Sequence, residues 1–272
     1  MKKTIILFIL IGTLPLFVLV SCKPSSPPSS GAANTPNPTE RSVVATAQAL
    51  LIQTEQIKTK LPTSVPTVTY TPTPQISLSG TSLIFRGDQT AEFVDYKAGI
   101  KLTIPSGWLP VRPNEEEYYK AFTNDVVIND PDIYKRLNQI QTHDTNFFRL
   151  DAIDIRPGHV VNGVISDISV IFQENDFRTL EEWSKAERGQ VSPYAGYKFL
   201  SSKYPETADG TRVLVIEKSW DYQGGTLYYR GVFFSIPTGA LVLDFQTNND
   251  FKDTVLPDFE QVVNSVTLLD AQ

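Results

Sequence analysis

Two histidines, His143 and His159, and one cysteine, Cys22, are the whole supply of imidazole and thiol in this 272-residue chain. That supply excludes an intramolecular disulfide framework and a thiolate zinc cage. His143 is followed by Asp144, but no serine lies in a Gly-x-Ser-x-Gly setting, which disfavours a Ser/His/Asp hydrolase. Both histidines read as solvated loop residues. Asp125, Asp130 and Asp132, with Asn124 and Asn129, form an oxygen-rich patch of the kind that holds Ca²⁺. Its spacing fails the EF-hand loop, and Asp130 before Pro131 is better used as a helix cap, so no metal ligand is assigned. Asp151 and Asp154 stand an odd number of residues apart on an expected strand, point to opposite faces, and cannot pair as acid and base. Glu115 to Glu117 read as a solvated first helical turn. The aromatic set Trp220, Tyr222, Tyr228, Tyr229, Phe233 and Phe234 can line a groove with only part of its members, because neighbours on a strand alternate faces.

No catalytic residue and no cofactor follow from this inventory. The expected function is non-catalytic binding or complex assembly. The alternative is a hydrolase or metal-binding protein whose site is made of dispersed acids. It requires two or more of Asp125, Asp151, Asp154, Glu181 and Glu217 to converge in a deep pocket.

The elements that position these residues begin near Gln75. Ser82–Arg86, Glu92–Tyr96 and Gly99–Ile104 read as short strands, the last stopped by Pro105-Ser106-Gly107, with Trp108 placed to close one end of a core. Pro113 with the following glutamates and Asp130-Pro131-Asp132 start two helices, the second carrying Ile133, Leu137 and Ile140 on one face. Phe147–Ile155 and Val164–Gln173 are longer strands around a loop. Thr179-Leu180-Glu181-Glu182 is a capping box that opens a short helix. Four strands follow, Tyr197–Ser201, Thr211–Trp220, Thr226–Ile236 and Ala240–Gln246, and the short turns between the later ones force antiparallel neighbours. A closing helix from Leu256 to Asn264 leads into Val266–Leu269. These blocks make an α+β domain with a central antiparallel sheet.

Composition agrees with a folded body. Apolar residues are 41% and charged residues 20%, and 24 basic against 30 acidic side chains argue against a nucleic-acid partner bound through a basic surface.

The amino terminus carries a different chemistry. Lys2 and Lys3 precede an apolar run from Ile5 to Val20, which ends in Leu19-Val20-Ser21-Cys22. The run is a secretory signal, and its last four residues match the bacterial lipobox. The pattern implies diacylglycerol on the Cys22 thiol, cleavage before Cys22, and a further palmitate-type acyl chain on the new amino terminus. An uncleaved signal anchor is the other reading, and both put the chain outside the cytoplasm. Two or three acyl chains hold a protein firmly, since each buried methylene contributes about 0.8 kcal/mol. Loss of residues 1–21 removes two lysines and leaves a net charge of -8, which keeps the body off anionic headgroups.

Residues 22–80 read as a stalk. Lys23–Thr39 and Pro62–Pro74 hold nine of the 19 prolines among serines and threonines, a composition that favours extended polyproline II. Thr39–Leu61 between them lacks Pro and Gly and has near-helical apolar spacing. It is either a marginal helix within the stalk or a surface for association. The expected division is a leader over 1–21, a stalk over 22–80 and a globular domain over 81–272. The expected partners are the cell membrane, through lipid on Cys22, and an envelope protein.

Ala98-Gly99-Ile100-Lys101-Leu102-Thr103-Ile104-Pro105-Ser106-Gly107-Trp108 resembles the opening signature of the PsbP/Mog1-like superfamily. The capped helix at Thr179–Ala186, the meander from Thr211 to Gln246 and the closing Phe259-Glu260-Gln261-Val262-Val263-Asn264-Ser265-Val266 are similar to it in order. The resemblance spans Tyr96–Leu269 and implies an α/β/α sandwich. It also implies a binding or assembly role, as in family members that serve photosystem II or a small GTPase, without shared catalytic residues.

Overall fold

The structure, a computed structural model, describes residues 77, 79–222 and 225–269. The expected leader, Cys22, and the expected stalk with its helix at 39–61 lie outside the described residues, except that the domain's entry at 77 and 79–80 is included.

Eleven strands form two antiparallel sheets among the described residues. The smaller has the order β1 (Thr81–Phe85), β2 (Ala91–Asp95), β3 (Ile100–Ile104), β11 (Thr267–Leu268). The larger has seven strands. Its order is β4 (Trp108–Val111), β5 (Phe148–Asp154), β6 (Asp167–Glu174), β10 (Gly239–Asn248), β9 (Gly225–Ile236), β8 (Leu214–Tyr222), β7 (Lys198–Lys203). The helices are α1 (Glu116–Ala121), α2 (Asp125–Asn129), α3 (Pro131–Ile140), α4 (Leu180–Arg188) and α5 (Lys252–Ser265). The α+β class and the central antiparallel sheet are as expected. The separate four-stranded sheet is a finding of the structure.

Alternation divides the large sheet. Leu150, Ala152, Ile168, Val170, Phe172, Leu241, Leu243 and Phe245 point to one face, where they pack with Phe93, Leu102 and Ile104 of the small sheet and Val255, Phe259 and Val262 of α5. Trp108 is 4% exposed in this core, as its place after the turn predicts. The sheets are also joined by Arg149, whose Nε donates to Asp95 Oδ2 at 2.6 Å and whose Nη2 donates to the Ser79 carbonyl at 2.6 Å. The opposite face carries α1–α3 over β4–β5, around Val111, Ile133, Leu137 and Ile153, and α4 over Ile171, Leu214, Phe233 and Val242.

The local signals act as expected at the caps. Asp130 accepts from the N–H groups of Asp132 and Ile133, and Thr179 and Glu182 close the capping box of α4. Pro237 and Thr238 make the two-residue turn between β9 and β10. Gly239 follows at φ +146°, and a Cβ there would lie 2.2 Å from the Gln173 carbonyl oxygen. Three elements differ from expectation. β4 is a strand where only a turn followed by a core-closing Trp108 is expected. α5 starts at Lys252, a turn before Leu256, with Pro257 inside it, because the buried Val255 belongs to the same apolar stripe as Phe259 and Val262. α2 is an additional short turn capped by Asn124.

Candidate functional site

Between the two helical patches, the outer face of the large sheet is polar. The register places Asp151, Ser169, Asp244 and Gly231 in one row across β5, β6, β10 and β9. A second row holds Asp167, Gln246, Tyr229 and Lys218. All point the same way, since residues two apart on a strand share a face. The helices add Arg136 from α3, His143 just after it, Glu187 from α4 and Gln190 beyond.

At the α3 side, Arg136 holds Asp167 with two hydrogen bonds, Nε to Oδ2 and Nη2 to Oδ1, each 3.1 Å, and lies 3.8 Å from Asp151. Asp151 is fully buried, accepts from Ser169 Oγ at 2.6 Å, and has His143 Nδ1 at 2.9 Å. The His143 ring stacks on Phe148 with centroids 4.0 Å apart. At the α4 side, Lys218 Nζ donates to Glu187 and to Gln190 Oε1, and Tyr229 donates to Asp244 Oδ1 at 2.5 Å. Asp244, Gln246 and Tyr229 are half-buried in the middle of the band, so it opens to solvent between the helices.

Four carboxyl groups, Asp151, Asp167, Asp244 and Glu187, share this band with two basic side chains, Arg136 and Lys218. Burial drives the carboxyl of Asp167 up from the usual range against the pull of Arg136. Burial also raises Asp244 to about 7, despite the Tyr229 hydrogen bond, with Glu187 and Asp167 adding repulsion. The Tyr229 phenol is pushed well up by the same burial and by Asp244 beside it. The band therefore offers donors, acceptors and one carboxyl that changes charge near neutrality. The Asp151 carboxylate stands between the Ser169 hydroxyl and the His143 imidazole, an order that differs from a Ser/His/Asp triad, in which the imidazole lies between the other two.

The structure corrects the reading of both histidines as solvated. His159 Nδ1 lies 2.7 Å from the buried Asp154, and the ring meets Phe251 edge-on, while Arg156 bridges Asp154 to Asp258. Asp151 and Asp154 do face opposite ways, and each ties an imidazole that follows or precedes its strand. Glu117 is also corrected: it is not a solvated turn residue but a partner held by Arg112. Glu116 is exposed and pairs with Lys120.

The other acids do not meet. Asp125 is exposed at the start of α2, with Asn129 Nδ2 donating to its carbonyl at 2.7 Å, and Asp132 lies in the first turn of α3. Glu181 reaches Arg212 on the surface. Glu217 lies on the inner face, where burial would raise its pKa but hydrogen bonds from Ser201 and Tyr228 and the charge of Arg230 bring it below the usual range. Among the described residues no group of three His, Cys, Asp or Glu comes together to hold a metal. Of the aromatic set, Tyr229, Trp220 and Phe233 share the outer face, and Tyr228 and Phe234 serve the inner core. Sequence reading alone does not single out Asp167, Asp244, Arg136 or Lys218. The signal for the two acids is parity: in Asp167-Ile168-Ser169 and Asp244-Phe245-Gln246 the polar residues fall on one face of otherwise apolar strands.

No protein-family model matches the chain. No curated protein sequence matches it significantly. Among solved structures it is similar to the cyanobacterial PsbP protein CyanoP of Synechocystis sp. PCC 6803, with 13% identity and a TM-score of 0.39 over 72% of this chain and 97% of that one. It is also similar to LpqN, involved in cell envelope biogenesis of Mycobacterium tuberculosis, with 12% identity and a TM-score of 0.37 over 70% of this chain and 90% of that one. A third similar structure is the immunity protein TplEi of Pseudomonas aeruginosa, with 8% identity and a TM-score of 0.33 over 70% of this chain and 78% of that one.

Proposed function

We propose that the protein is a lipid-anchored, extracytoplasmic binding or assembly module. The globular domain starting at 81 carries the binding face, and residues 22–80 act as a spacer from the membrane. The observation that carries the binding half is the polar band itself, in which Asp167, Asp244, Gln246, Tyr229 and Lys218 present donors and acceptors on one face of the large sheet between two helical patches. The anchoring half rests on Leu19-Val20-Ser21-Cys22 after an apolar run with a basic start.

Detergent phase partitioning and mass spectrometry of the amino-terminal peptide test the anchor. The native chain enters the detergent phase with acyl mass on Cys22, and Cys22→Ala stays aqueous with its leader retained. A native chain that is aqueous and unacylated overturns the anchor. Hydrolysis of synthetic esters or phosphoesters that disappears in His143→Gln overturns the non-catalytic reading.

A further inference from the structure

The loop from β5 to β6 contains the one asparagine of the chain that is followed by glycine, Asn162-Gly163. The two are the central residues of a tight turn, with φ of +53° and +71°. The turn is closed by hydrogen bonds from the Val161 N–H to the Val164 carbonyl at 3.0 Å and from the Val164 N–H to the Val161 carbonyl at 2.9 Å. Two left-handed residues in a two-residue connection make a type I′ turn, for which Asn-Gly is the preferred pair. The Val161–Val164 pair is isolated, so no ladder beyond it holds the turn shut. Elsewhere the loop is fastened: His159 lies on Asp154, Val164 and Ile165 are buried, and Ser166 meets the Thr247 hydroxyl at 2.7 Å.

In an Asn-Gly pair the glycine nitrogen can attack the asparagine side-chain amide, because no Cβ on the glycine hinders the approach. The attack needs that nitrogen and that amide to be uncommitted. Asn162 is exposed, and among the described residues neither its side chain nor the Gly163 N–H makes a hydrogen bond. Other asparagines differ. After Asn114, Asn146, Asn175, Asn248 and Asn249 the next N–H is already donated, to the carbonyls of Arg112, Asp144, Gln173 and Thr226 and to Asn248 Oδ1 respectively. The Asp209-Gly210 turn is closed to the same chemistry twice over. Its Gly210 N–H donates to the Thr207 carbonyl, and hydrogen bonds from Thr207 and Thr211 hold the Asp209 carboxyl below its usual range, where the ionised group is a poor electrophile.

We propose that Asn162 is a site of spontaneous covalent modification, deamidation through a cyclic imide formed with Gly163. Hydroxide takes the proton of the Gly163 N–H, the nitrogen bonds to the Asn162 side-chain carbon, and the bond from that carbon to Nδ2 breaks as Nδ2 leaves as ammonia with a proton from water. Water then opens the imide on either side of its nitrogen. One opening gives aspartate, the other isoaspartate, in which the main chain runs through the side-chain carbons. Nothing is oxidised or reduced. In the closed turn a left-handed ψ of about +47° holds the Gly163 nitrogen away from the side-chain carbon. Attack therefore follows local opening of the turn, which breaks only the isolated Val161–Val164 pair. The inference goes beyond the binding-module reading and stands independently of it.

Incubation of the purified full-length protein in mildly alkaline buffer, with peptide mapping by mass spectrometry at intervals, tests the proposal. The peptide holding residue 162 gains the mass difference between an amide and an acid, and it accepts a methyl group from an isoaspartyl methyltransferase. It does so roughly tenfold faster than a peptide holding any other asparagine of residues 79–269, and the rate rises with hydroxide concentration. Asn162→Ser, whose melting temperature stays near that of the native chain, loses the methyl label. Gly163→Ala, even where the alanine strains the turn, slows the conversion through its Cβ. The proposal is overturned if Asn162 keeps its amide in the folded chain while the chain unfolded in urea loses it, because the turn then protects the pair. It is also overturned if another asparagine reacts first, or if acid forms at residue 162 without isoaspartate, which means direct hydrolysis with no imide.

Discussion

Gly231 stands directly opposite Asp244 in the β9–β10 ladder, and the place where its side chain would be is filled by the hydroxyl of Tyr229. A Cβ at Gly231 would lie 2.5 Å from that oxygen and 3.0 Å from Phe233 Cε2. The glycine is thus what lets Tyr229 fold back along its own strand to reach the Asp244 carboxyl. Gly231→Ala is expected to cost about 1–3 kcal/mol, the usual range for overpacking. In a Tyr229→Phe background, which removes the closest atom, the cost falls. Chemical denaturation of the four proteins of this cycle checks the coupling. Strictly additive effects would show that the hydroxyl does not occupy the glycine's space.

Asp244 makes stability depend on pH in a definite direction. Its folded-state pKa of about 7 stands above the ordinary value of about 3.9, so the protonated form favours the folded state. That contribution is complete below about pH 4 and is lost as pH rises through about 7. An asparagine side chain cannot ionise, so Asp244→Asn keeps the contribution at every pH. The variant is expected to match the native chain near pH 4 and to exceed it at pH 8 by about 1–3 kcal/mol, a few degrees in melting temperature. Thermal melts at the two pH values decide it, and parallel pH profiles for both proteins would count against a buried Asp244 charge.

The Arg149–Asp95 pair, 2% and 0% exposed, is a fastening between the two sheets. Arg149→Met leaves Asp95 buried without its cation and is expected to destabilise the fold by about 3–5 kcal/mol. Adding Asp95→Asn, which keeps an acceptor for the N–H groups of Lys97 and Ala98, recovers a large part of that loss. Denaturant midpoints for the single and double variants measure the recovery. A double variant no better than the single one would place the cost in the lost Ser79 and Thr145 contacts instead.

Thr179→Ala removes the hydroxyl that accepts from the Glu182 N–H at the start of α4. The expected cost is about 1 kcal/mol. Because α4 supplies Glu187 to Lys218, hydrogen exchange at Glu187 and Gln190 rises as well. Unchanged exchange there would mean that packing of Trp183, not the cap, holds the helix in place.

Much of this architecture is legible residue by residue. The capping box at Thr179, the Asp130-Pro131 start of α3 and the stripe Ile133, Leu137 and Ile140 are local effects, decided within one or two turns of helix. The strands of the meander are equally legible, because alternation and short turns act on neighbours in sequence. α5 reads a turn short because Pro257 outweighs Val255 in a local reading, while in the fold the buried valine decides.

The sequence by itself determined most of the secondary elements and the scarcity of catalytic imidazole. The tertiary structure alone decided which charges meet. Arg136 and Asp167 are brought together from different elements, as are His143 with Asp151 and Lys218 with Glu187. It also took His159 out of the solvent and onto Asp154. The reason is physical. Alternation tells a strand which side to bury but not which strand to lie beside, and the polar band exists only because the sheet order sets β6 against β10.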